Sequence, residues 1–270
     1  MKRLDSIEVT MAADKETVLA NIRKCQDRKL PMAHDLPEWR DRMPIALIGG
    51  GPSLVETVSL AKCFKHAMVC GSAHDFAVES GVQPRWTVIC DPDPVMANYL
   101  RKPVMGCRYL VASHCSDEVF DALAAHDVAV WHAGGAVDEA DPVWGERGAV
   151  LVGGGCTVGL RAIVLATIFG YSELHLFGMD TCMSGELHHA YEYSTDDEKY
   201  LCAKGLTEVR IGSELGNSFT MSGYQIGQMV GFKEILNFYS DRVKFVVHGG
   251  GVLAELLRLG CQGAQRQTAA

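Results

Sequence analysis

From residue 44 onward, short apolar runs alternate with amphipathic segments. The runs fall at 45–48, 67–70, 86–90, 109–112, 128–131, 150–152, 174–177 and 243–247. They are rich in Val and Ile and show almost no polar alternation. Strands covered on both faces have this pattern, as in a parallel sheet between helical layers. Helical spacing appears between them at 53–64, 73–80, 95–101, 117–125, 157–169, 224–239 and 252–259. Strand and helix in alternation imply βαβ units. The expected fold is α/β, a Rossmann-like doubly wound, mostly parallel sheet with helices on both faces.

Two stretches depart from that rhythm. Residues 1–43 are polar and helical, with Val18, Leu19 and Ile22 at helical spacing before Pro31 and Pro37, and predict an N-terminal helical extension. Residues 181–222 form a polar, lid-like insertion in the domain at 44–260. Within it, 207–211 and 218–221 flank Gly216-Asn217 and predict a hairpin. The last residues, 261–270, are expected to be a frayed tail.

Composition narrows the class. The 270 residues are 48% hydrophobic and 21% charged, with a net charge of −8. That balance excludes a disordered chain and argues against a nucleic-acid partner, which calls for a basic surface. No apolar run reaches the ~18 residues of a membrane span, and no signal-peptide core is visible. Ten cysteines are scattered without a C-x-x-C pair. The expectation is therefore reduced thiols and a cytoplasmic location. A symmetric homo-oligomer would be in keeping with the frequency of such assemblies.

Candidate chemistry lies where runs end. Gly49-Gly50-Gly51-Pro52-Ser53 follows the first strand and opens a helix, so its free N–H groups can cradle a phosphate. A tight strand-to-helix corner is the alternative. Asp91 and Asp93 flank Pro92 at the end of the third run, where paired carboxylates can share Mg²⁺. Asp93 can instead cap the next helix. Gly153-Gly154-Gly155 leads to Thr157 and Arg161, a second glycine turn with a hydroxyl and a cation for phosphate. Gly178-Met179-Asp180 ends another run, and His188, His189, Tyr191 and Tyr193 follow. Asp91, Asp180, His188 and His189 are the candidates for acid–base work. The tyrosines are candidates for phosphate contact.

Taken in order, these motifs resemble the MptE-like domain. They are Gly49 to Leu54, Gly81 to Pro84 leading to Asp91, Gly154 to Ala162, and Gly170 to Asp180. The namesake of that domain is the archaeal 6-hydroxymethylpterin diphosphokinase. The same domain occurs in flagellin motility accessory factors and is similar in arrangement to bacterial CMP-sialic-acid sialyltransferases. The resemblance implies a nucleotide donor and a small-molecule or glycan acceptor. It leaves three readings: a diphosphokinase-like transferase using ATP with Mg²⁺, a glycosyltransferase using a CMP-activated sialic or nonulosonic acid, and a non-catalytic nucleotide-binding domain. The pterin enzyme's second acidic motif reads Thr157-Val158-Gly159-Leu160-Arg161-Ala162 here, with both acids replaced by apolar residues. In the sialyltransferases the first turn often carries Asn where this chain has Gly50.

Overall fold

The computed structural model describes residues 13–36, 43–145, 149–192, 205–212 and 216–267. Its centre is an eight-stranded sheet in the order β10-β7-β1-β2-β3-β4-β5-β6. The strands are β1 (Ile45–Ile48), β2 (Ala67–Cys70), β3 (Trp86–Ile89), β4 (Arg108–Ala112), β5 (Asp127–Ala133), β6 (Leu151–Val152), β7 (Glu173–Phe177) and β10 (Lys244–His248). Every pairing in it is parallel. The unbroken apolar runs have the expected cause, since β1, β2 and β3 are buried at all four positions. Side chains alternate between faces. Ile45 and Leu47 join the larger core cluster, while Ala46 and Ile48 join the smaller one with Leu54, Val58 and Phe177.

The connecting helices are α1 (Lys15–Asp27), α2 (Leu54–Ala61), α3 (His74–Glu79), α4 (Asp117–Ala122), α5 (Val158–Ile168), α6 (Gly223–Tyr239) and α7 (Val252–Gln267). Helix α5 leaves the edge strand β6 and crosses the larger face beneath β1, β2 and β3 before β7 begins. Its Leu160, Ala162, Ile163, Val164, Leu165 and Ala166 are all buried, which explains why it lacks a polar stripe. That long return places β7 on the free side of β1. The strand order reverses there, at the position where open α/β sheets hold ligands.

The N-terminal extension is docked. In α1, Val18 and Ile22 pack with Val137 and Trp144, and the Asn21 amide donates to the His114 carbonyl at 3.0 Å. The hairpin in the insertion forms as β8 (Leu206–Arg210) and β9 (Ser218–Ser222), antiparallel. Two expectations need correction. The segment after Asp93 is a 3-10 helix over Pro94–Tyr99, shorter than the predicted α-helix. Helix α7 runs to Gln267 through the residues expected to fray. Gly260 and Gly263 cost it about 1 kcal/mol each, while Leu, Ala, Arg and Gln around them favour helix. Among the described residues no helix is long and apolar enough to cross a membrane.

Candidate active site

A cleft of about 690 Å³ runs along the carboxyl ends of the strands, within the size range of small-ligand sites. It is lined at one end by Gly49–51 and Gly178–Cys182 and at the other by Gly134, Gly153 and Arg161. Asp91, Asp93 and His114 lie between. Both glycine turns therefore face one cavity.

The first turn is built by β7. The Gly51 amide donates to the Gly178 carbonyl at 2.7 Å and the Gly49 amide to Phe177 at 2.8 Å. The Asp180 carboxylate accepts from the Ser53 amide at 2.8 Å and from the Ser53 hydroxyl. Asp180 thus supplies its own anion to the start of α2. Burial raises its pKa, and the two Ser53 donors work against that rise. Expected in catalysis, Asp180 instead has both oxygens committed to the turn. Pro52 and Ser53 lie behind the lining, while Gly49, Gly50 and Gly51 line the cleft.

Gly50 is roofed by the insertion. Its carbonyl accepts from the Ala190 amide at 2.9 Å, and a Cβ at this position would run into the Tyr191 hydroxyl and the His189 ring. Tyr191 shares a 2.7 Å hydrogen bond with the Ser72 hydroxyl, and burial pushes its phenol pKa up. The room that a side chain at position 50 would use is filled from across the cleft. His188 and His189 both line the cavity, edge to face at 4.4 Å. Burial lowers the His189 pKa to about 3, so this ring is neutral at ordinary pH and a poor base. Tyr193 lies outside the described residues.

In the second turn Gly155 and Thr157 line the cleft, and Gly154 packs behind it against Val164 and the Leu160 carbonyl. Thr157 caps α5 by accepting from the Leu160 amide at 3.2 Å. Arg161 was expected to meet phosphate. Its guanidinium forks to the Gly134 carbonyl at 2.7 Å and to the Val152 carbonyl, tying the ends of β5 and β6 together. Lysine cannot span two carbonyls in that way. Arg161→Lys should lower stability by about 2 kcal/mol, read as a lower urea midpoint. An unchanged midpoint would show that the fork carries no load.

Asp91 accepts from the Asp93 amide at 2.9 Å, and Asp93 accepts from the Val95 amide at 2.9 Å as the cap of the 3-10 helix. Burial raises the Asp91 pKa. Each acid has one oxygen engaged by backbone. Among the described residues no three His, Cys, Asp or Glu side chains converge on a cation position. Leu160 is fully buried and Val158 adds only methyl groups to the cleft. Asp91 and Asp93, each with its second oxygen not taken up by those backbone bonds, are therefore the carboxylates that would hold Mg²⁺ together with substrate phosphates.

His114 is a cleft residue the sequence reading missed. It follows β4 at the strand's carboxyl end, and that position was the available signal. Its Nε2 meets the Cys90 carbonyl, which has no proton to give, so Nε2 carries the hydrogen and Nδ1 is bare. Burial lowers the His114 pKa to about 4.

The model of the family described as 6-hydroxymethylpterin diphosphokinase MptE-like matches residues 16–186. The chain belongs to the MptE-like family. The family region begins within α1 and ends past Asp180, so it takes in both glycine turns and Asp91. A comparison with curated proteins finds no match. Among solved structures, the MAf glycosyltransferase from Magnetospirillum magneticum AMB-1 aligns with TM-score 0.63 and 15% identity over 91% of this chain and 38% of its own. The family member described here thus spans well under half of that protein. A mammalian sialyltransferase aligns at 0.47 with 9% identity, over 92% of each chain. The α-2,3-sialyltransferase Cst-I from Campylobacter jejuni aligns at 0.44 with 12% identity, over 83% of this chain and 82% of its own. At such identities the MAf likeness is one of fold, an α/β sheet of the same design.

Proposed function

We propose that this nucleotide-dependent transferase takes a nucleoside-monophosphate-activated sugar, of the CMP-sialic or CMP-nonulosonic kind, as its donor. The charge of the cleft supports this reading. Arg161 is the only Lys or Arg among its described lining residues, and its guanidinium already holds two carbonyls. Asp91, Asp93 and Asp180 stand against it. Transfer from ATP would add a polyphosphate to this surplus of acid, and neutralising that charge is most of such catalysis. The donor brings a phosphodiester and the acid sugar's carboxylate, about two charges against about four for ATP, and asks for less. The paired Asp91 and Asp93 are what favours the ATP–Mg²⁺ alternative.

In the proposed reaction an acceptor hydroxyl oxygen bonds to the anomeric carbon. The bond from that carbon to the phosphate oxygen breaks, and the nucleoside monophosphate leaves with the electron pair. Asp91 takes the hydroxyl proton. Burial has moved its carboxyl toward neutral pH, which suits a general base. His188, the neutral His189 and the half-buried cleft wall at Gln228 are left to bind the acceptor.

Thermal shift with CMP, CTP, AMP and ATP, each with and without Mg²⁺, tests the donor. CMP should raise Tm without metal, and at a hundred times Kd it adds ~2.7 kcal/mol of apparent stability. A shift seen only with ATP and abolished by chelation would overturn the reading in favour of the diphosphokinase-like one. No shift with any nucleotide would overturn both.

A further inference from the structure

Thr181 combines two unfavourable features at the end of the cleft where β1 and β7 meet. Its φ is +59°, in the left-handed region that a β-branched residue avoids. Lys29, the other such residue among those described, stands just past the end of α1, where a left-handed residue is the ordinary way to stop a helix. Thr181 ends no helix. Its hydroxyl oxygen is also buried without a hydrogen-bond partner among the described residues, in a residue only 5% exposed. A conformation strained in this way persists only where neighbours enforce it, and such residues gather at functional sites.

The neighbours that enforce it are visible. The preceding residue is held on two sides. The Asp180 carboxylate is fixed by Ser53, and its carbonyl accepts from the Val252 amide at 2.8 Å. Beyond Thr181, the Met183 amide donates to Thr220 at 2.9 Å, and the Ala190 and Tyr191 contacts fasten residues 182–192 over Gly50. The chain is pinned before and after the strained residue. Glycine would relieve the backbone and valine would remove the orphaned oxygen, yet the chain carries threonine at the β1–β7 reversal, lining the cleft.

We infer that Thr181 is a ligand-contacting residue whose hydroxyl donates to a phosphate oxygen of the bound nucleotide. This rests on the reading of the cleft as a nucleotide site. Thr181 lines the cleft while its oxygen is buried, so a turn of the side chain about χ1 on the pinned backbone brings the hydroxyl to the bound phosphate. The bound phosphate then supplies the partner that the free protein lacks.

Three variants separate backbone from hydroxyl. Thr181→Gly relieves the φ, Thr181→Val keeps the branched shape without the oxygen, and Thr181→Ser keeps the oxygen. In the ligand-free protein both Gly and Val should raise Tm, by about 3 °C each. Calorimetric titration with CMP should show Thr181→Val and Thr181→Gly binding about tenfold more weakly than wild type, and Thr181→Ser close to it. Wild-type affinity in Thr181→Val overturns the contact. A fall in Tm in both Gly and Val overturns the inference as well, because the residue would then serve the fold. If wild type binds neither CMP nor ATP, the donor reading fails. The Tm comparison then decides whether Thr181 is kept against stability.

Discussion

Gly178→Ala should lose about 3 kcal/mol or more of folding stability, enough to leave much of the protein unfolded. Two effects add. Gly178 has φ +58°, where an alanine Cβ costs about 1–2 kcal/mol. That Cβ would also stand 2.6 Å from the Gly49 carbonyl oxygen and 2.9 Å from the Leu54 Cβ. The first is backbone in the central strand pair and cannot move aside, and overpacking of this kind costs about 1–3 kcal/mol. Gly153→Ala is the control. Its Cβ would meet nothing within 4 Å, and its φ is not positive. Urea midpoints of the two variants against wild type decide the matter. A Gly178→Ala loss no larger than that of Gly153→Ala would mean that β1 and β7 are not pressed together as described.

The second large effect is on acid stability. His114 has its pKa lowered to about 4 by burial, against 6.5 for the ordinary side chain. Below pH 6.5 the unfolded chain takes up a proton that the folded one refuses. The stabilisation is therefore complete above that pH and is lost as pH falls toward 4. Between about pH 7.5 and pH 5 this group alone should remove on the order of 2 kcal/mol. His74, His132, His189 and His248 are shifted the same way by burial and add to the slope. His114→Gln isolates the one group, since its amide can still donate to the Cys90 carbonyl and does not titrate. Urea midpoints measured at both pH values should converge less in wild type than in the variant. Identical pH dependence would show that His114 is charged, or solvated, in the folded protein.

The fold was legible because its signals are local. Four-residue apolar runs without alternation mark strands buried on both faces, while the Ser222–Gln225 capping box of α6 came only with the structure. Candidate residues were legible to the extent that strand carboxyl ends are. That rule placed Asp91, Gly49–51 and Gly178–Asp180 on one cleft, and applied to β4 it would have added His114. What each group does there was not legible. Whether Asp180 meets a ligand or Ser53, and whether Arg161 meets a phosphate or two carbonyls, depends on contacts between residues far apart in the chain. Spacing carries no information about such contacts. Thr181 was missed for a related reason, because nothing in its neighbours demands a positive φ.

The place of β7 beside β1 also sets the order in which the protein can be assembled. As the chain leaves the ribosome, β1 pairs early with β2, but its other edge waits until β2 through β6 and all of α5 have been made. During that interval a central, wholly apolar strand presents unpaired backbone, the template on which other chains aggregate. The first glycine turn is likewise incomplete, since its amides close on Phe177 and Gly178. A nascent chain stalled before residue 173 therefore holds six strands and no finished cleft. Its pairing is of high sequence separation, which makes folding slow and gives chaperones their longest opportunity at the edge of β1.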